Sequence, residues 1–140
     1  MKRTVVIVAI GAAAVLVGAA FAGRALGQTP GRDVAVVDLT EKTKVQKEIL
    51  LGRYIFVHDD EAKAKGEPCF LVYKYSEDAK GQPEIRPENL LLSCHCQRVD
   101  GGKAPQIVLT YTMVPGETDL FEIKEVQFAG STAVHRLPKS

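Results

Sequence analysis

Between Ile49 and Phe128, short runs of β-branched, aromatic and aliphatic residues alternate with Gly, Pro and Asp. This rhythm constrains the fold more than any other feature of the chain, because each run is strand length and too short for a packed helix. The runs are Ile49–His58, Cys69–Tyr75, Leu90–Arg98, Gln106–Met113 and Asp119–Phe128. Asp100-Gly101-Gly102 and Pro115-Gly116 are tight-turn signals, so the strands they join should be antiparallel neighbours. Val34–Leu39 reads as an earlier strand, and Thr40–Glu48 reads either as a short helix capped by Thr40 or as a polar edge strand. Gly52 marks a bend or bulge. Asp60 is expected to cap one helical turn, Glu61–Lys65, which Gly66 stops. The predicted fold is all-β: an antiparallel sandwich or small barrel with a four-stranded C-terminal meander, preceded by an N-terminal apolar signal helix.

Side chains alternate faces along a strand, so parity predicts register. Cys69, Leu71, Tyr73 and Tyr75 share one face, as do Leu90, Leu92, Cys94 and Cys96. Setting Cys69 opposite Cys96 pairs Leu71 with Cys94, Tyr73 with Leu92 and Tyr75 with Leu90, and every pair on that face is apolar. Ile107, Leu109, Tyr111 and Met113 form a third face. Phe121 and Ile123 are odd while Val126 and Phe128 are even, which predicts a bulge near Lys124–Glu125. Ser76–Asn89 is long for a hairpin connection and suits a protruding recognition loop or a solvated spacer.

The N-terminus is basic at Lys2 and Arg3 and then uncharged from Thr4 to Gly23, with small residues before Gln28. That layout is a secretory signal peptide over residues 1–27, with a retained membrane anchor as the alternative. Either sends the remainder out of the cytoplasm, to a secreted or periplasmic location or to a domain tethered outside the membrane. Residues 28–33 form a flexible leader, and residues 34–138 a single β-rich domain. The formal charge is only +1. No basic face is implied, which argues against a nucleic-acid partner. Membrane contact is expected only through the N-terminal segment if it stays uncleaved.

Three cysteines, Cys69, Cys94 and Cys96, lie in the exported part, where thiols that can meet tend to oxidise. Cys69–Cys96 is the preferred disulfide, and Cys69–Cys94 stays open because parity does not separate them. The bridge would close a loop of about 27 residues, for which chain entropy gives on the order of 3 kcal/mol. The remaining cysteine is a buried apolar residue or a free thiol. A metal site is the rival reading, with His58, Cys94, His95 and His135 as candidate ligands for Zn(II) or Cu(I). Against it, His95 on a strand points away from Cys94 and Cys96. His58 beside Asp59 and Asp60 suggests a general base, though both aspartates also suit a turn and a cap. No nucleophile elbow, zinc-protease motif or phosphate-binding loop is present in the sequence, and no cofactor is implied.

At Gly52–Asp60, Gly66–Cys69, Ser93–Cys96 and Glu125–Pro138 the chain resembles a set of small, uncharacterised exported bacterial proteins. Their pattern has an aromatic where this chain has Cys94. The resemblance therefore implies that Cys69 and Cys96 bridge and that Cys94 is the extra thiol. It implies export and a β-rich domain, and brings no activity. The expected function is a non-enzymatic exported β-domain, a binding or structural module of the bacterial envelope or periplasm. The alternatives are a metal-binding or thiol-redox protein using Cys94 and Cys96 with a nearby His, and a small hydrolase around His58.

Overall fold

The computed structural model describes residues 5–8 and 31–139. Among the described residues nine strands form one sheet that curls into a half-barrel, 54% of the chain being strand and 7% helical, so the all-β class holds. The strands are β1 (Val5–Val8), β2 (Arg32–Val45), β3 (Glu48–Asp59), β4 (Phe70–Lys74), β5 (Leu90–Cys94), β6 (Gln97–Asp100), β7 (Val108–Met113), β8 (Phe121–Gln127) and β9 (Ala133–Arg136). A single helical turn, α1 (Asp60–Ala64), follows β3. The main path runs β1-β7-β8-β2-β3-β4-β5, and β9 bridges β8 to β6.

The N-terminal signal segment falls almost wholly outside the described residues. Its described part, Val5–Val8, is a strand antiparallel to β7, not helix. Arg32 and Asp33, expected in the flexible leader, open β2 instead. Among the described residues, no helix is long and apolar enough to cross a membrane.

The strand β2 resolves the ambiguity at Thr40–Glu48. The chain stays extended to Val45, turns at Gln46–Lys47 and returns as β3. This segment is not at an edge, since Thr43 and Lys44 pair in parallel with Phe121 and Glu122. A register shift between Leu39 and Thr43 lies opposite Gly52, whose φ of +106° only glycine adopts without strain. The bulge swings the far end of β2 away from its first line and onto β8. The predicted bulge at Lys124–Glu125 is present: Thr110 pairs with Glu125 and Tyr111 with Ile123, leaving Lys124 unopposed.

Two expectations fail on register. The strands β4 and β5 pair Phe70 with Cys94, Leu71 with Ser93 and Val72 with Leu92, one residue off the expected alignment. A one-residue slip exchanges the faces of a strand. Parity could not exclude it because β4 is apolar on both faces. Phe70 and Val72 enter the main core with Val37, Phe56, Ile107 and Val126. Leu71, Tyr73 and Tyr75 join Val36, Ile55 and Val57 on the opposite face, against Ile85. Ile85 belongs to the Ser76–Asn89 loop, whose tip, Glu77–Gln82, is exposed. Its return arm packs over this outer face, with Pro83 buried and Ser76 and Glu84 hydrogen-bonded to each other.

The expected meander also breaks. Leu90–Arg98 is two strands, not one, interrupted at His95–Cys96. The second, β6, does not return on β7 through Asp100–Gly102; it pairs with β9. Gly101 donates its N–H to the Thr132 carbonyl at 2.8 Å, and a Cβ there would stand 3.0 Å from a Val134 methyl. The glycine serves a close approach between segments distant in sequence. The β7–β8 pair, by contrast, is the hairpin that Pro115-Gly116 predicted.

Candidate functional site

The break between β5 and β6 and the start of β4 bring sulfur and imidazole together at one end of the half-barrel. Asp59 accepts hydrogen bonds at Oδ1 from the Glu61 and Ala62 N–H groups, so it, not Asp60, caps α1. Its own N–H donates to the Cys69 carbonyl at 2.9 Å, which holds Cys69 beside the end of β3. The Cys69 N–H donates to the Cys94 carbonyl at 3.2 Å. From α1, Lys63 Nζ donates to the Cys96 carbonyl at 2.7 Å, satisfying the backbone where the strand breaks. Asp60 closes the end by donating its N–H to the Gly31 carbonyl at 2.8 Å.

Within this frame Cys69 Sγ and Cys96 Sγ stand 2.9 Å apart, both buried. That is contact, but not the roughly 2.05 Å of a disulfide bond, and the three cysteines are thiols in this structure. Cys96 Sγ is 3.8 Å from His135 Nδ1. The His135 ring stacks on His58 with centroids 3.7 Å apart and planes 20° from parallel. Both histidines are only 1% exposed. His58 faces Asp33 directly across the β2–β3 ladder, and His135 reaches the same face from β9 through its pairing with Val126 of β8.

Two sets of three donors result. His58, Cys69 and Cys96 form one, and Asp33, His58 and His135 the other, each with its ligating atoms within 4.8 Å of one another. Of the sequence candidates, His58 and His135 meet, while Cys94 and His95 enter neither set. Cys94 opposes Phe70 in the core, and His95 is exposed. Sequence reading missed Asp33. Its signal was an acid at the parity of Ala35, Val37 and Leu39, the apolar inner face of β2.

The site is electrostatically expensive. Both ring nitrogens of His58, and Nε2 of His135, are buried without a hydrogen-bond partner. Asp60 Oδ1 lies 3.2 Å from His58 Nδ1, close enough for an ion pair but out of hydrogen-bond alignment. Each such orphan costs roughly 1–3 kcal/mol. Burial pushes His135 down to about 4, aided by His58, Lys63 and Arg98. Burial also lowers His58, opposed by Asp60 and Asp59. Both imidazoles are therefore neutral near pH 7. Burial, then Asp60, raises Asp33. Burial, with Cys69 beside it, pushes Cys96 up to about 12 and Cys94 to about 11. Reactive thiols need the opposite shift, so neither resembles an activated nucleophile. Comparison with known proteins finds no match: no family model fits the chain, and no curated protein or solved structure is significantly similar to it.

Proposed function

We propose that the chain is an exported, non-enzymatic β-domain, a binding or structural module of the bacterial envelope or periplasm, stapled after export by a Cys69–Cys96 disulfide. The observation that carries this reading is the 2.9 Å contact between the two sulfurs. They lie 27 residues apart in sequence and join the start of β4 to the break before β6. An oxidising compartment converts such a pair of thiols to a bond after a small approach of the sulfurs. Export itself rests on the pattern of residues 1–27. The non-enzymatic part rests on the chemistry of the end: thiols shifted away from reactivity, a histidine sealed from solvent, and Asp59 committed to a helix cap. Neither nucleic acid nor, beyond the N-terminal segment, a membrane is the proposed partner.

A second reading follows from the His58–Cys69–Cys96 set, whose donors suit a thiophilic ion such as Zn(II) or Cu(I). It revises the ligands expected from sequence by replacing Cys94 with Cys69. Thiol counting under denaturing conditions separates the two. The disulfide reading expects one thiol without reductant and three with it. Three thiols without reductant, together with stoichiometric zinc or copper, overturn it in favour of the metal thiolate.

A further inference from the structure

We infer that Asp33, His58 and His135 form a binding site for a divalent transition-metal ion, separate from the sulfur pair. The inference deepens the proposed binding function and rests on it only in taking Cys69 and Cys96 as a disulfide. A disulfide removes both sulfurs from the thiolate set and leaves this set whole.

Two imidazoles and one carboxylate are a common donor set for borderline divalent ions. Three strands supply them. Asp33 and His58 are direct partners on β2 and β3, and β9 carries His135. Side chains anchored on paired strands are held more precisely than side chains on loops. Their donor atoms already lie within 4.8 Å of one another. A tetrahedral ion with ligands at about 2.1 Å wants edges of about 3.4 Å, and to close the set the two rings, stacked 20° from parallel, tilt so that their in-plane lone pairs converge on the ion.

A second observation points the same way. The nitrogens these residues would offer are buried and bonded to nothing in the protein. Buried polar atoms are nearly always paired, and unpaired ones call for a missing partner. The surroundings also fit ligation through particular atoms. Asp60 Oδ1 lies 3.2 Å from His58 Nδ1, so a turn of the ring that brings Nδ1–H into line with this outer carboxylate would leave Nε2 to the ion. With its proton on Nδ1 toward Cys96 Sγ at 3.8 Å, His135 likewise presents Nε2. Three protein ligands leave a coordination position for water or a small anion.

The test uses the full chain, oxidised and stripped of metal with chelator, titrated calorimetrically with ZnCl2 and followed spectroscopically with CoCl2. The expected result is one ion per chain, with a cobalt spectrum free of sulfur-to-metal charge transfer. Asp33→Asn and His135→Asn should each weaken binding at least tenfold, while His95→Asn leaves it unchanged and Cys69→Ser/Cys96→Ser still takes up one ion per chain. Circular dichroism verifies that each variant folds, and Asp33→Asn, at a half-buried position, keeps the test decisive if His135→Asn does not fold. No binding to the oxidised chain overturns the inference, as does binding indifferent to Asp33→Asn. A strong charge-transfer band lost in the double serine variant also overturns it, in favour of the thiolate set. Thiol counting on the same sample reports on the disulfide independently, so the two proposals fail separately.

Discussion

Acidification should destabilise this protein through His135, by an amount the structure sets. The ring is 1% exposed, and its pKa falls from 6.5 to about 4 chiefly through burial. Between those values the unfolded chain binds a proton that the native chain refuses, so stability rises with pH across the window and is lost as pH falls. The contribution is complete above pH 6.5. A fall from 6.5 to about 4 corresponds to roughly 3 kcal/mol, most of which is gone by pH 4.5. His58 is shifted in the same direction and steepens the loss. Asp33 works the other way: its raised pKa means the native state takes up that proton more readily, which offsets part of the loss at the acid end. Lys63 and Arg98 disfavour charge on both rings, whereas Asp59 and Asp60 favour it on His58.

The assay is urea unfolding of metal-stripped protein at intervals from pH 7.5 to pH 4, for wild type and His135→Phe. Phenylalanine fills the stacked position beside His58 without titrating. Its absolute stability can differ from wild type for packing reasons, so the comparison is of slopes. Wild type should lose roughly 2–3 kcal/mol more than the variant between pH 7 and pH 4.5. Parallel curves would refute the reasoning. They would mean that His135 keeps a near-normal pKa, hence that water or a partner reaches the ring.

Other outcomes follow from the same structure. Replacing both Cys69 and Cys96 with Ala should cost about 3 kcal/mol in chemical denaturation if the bridge is formed, and reductant should bring wild type close to the variant. Phe56→Ala should cost about 3–5 kcal/mol, since this ring is fully buried and packs edge-on against Phe70 at 5.5 Å; a loss under 1 kcal/mol would contradict the core assignment. Gly52→Ala should cost about 1–2 kcal/mol from backbone strain alone, because nothing lies within 4 Å of the added carbon. Ile85→Ser should leave the fold intact but speed proteolysis within Ser76–Asn89, by loosening that loop from the outer face of the sheet.

What the sequence revealed and what it hid divide along local and long-range physics. Strand positions, the Lys124–Glu125 bulge and the Pro115-Gly116 hairpin were legible because alternation and turn chemistry act over a few residues. The β4–β5 register was hidden because Phe70–Tyr73 is apolar at every position. That pattern belongs to a strand covered on both sides, and parity then carries no information. The break at His95–Cys96 and the β6–β9 pairing were hidden for a different reason. They depend on where β9 lies, and nothing near Gln97 encodes that. The candidate site shared both difficulties: His58 and Cys69 are close in sequence, but Asp33 and His135 reach them only through the β2–β3 and β8–β9 ladders.

The buried imidazoles are also where local rules and global packing disagree most. His58 continues the inner parity of Phe56, and His135 that of Ala133 and Leu137, so packing alone would be better served by apolar side chains at both positions. Instead the chain seals three ring nitrogens away from water with no partner in the protein. The lowered pKa values remove the cost of charge but not the cost of unbonded polar atoms. Stacking two neutral rings and placing sulfur beside one of them compensates in part. A place where a fold breaks its local rules carries that cost for function more often than by accident. The remaining deficit is unbonded ring nitrogens beside a carboxylate, and the divalent cation proposed above would take the single lone pair that each neutral ring carries.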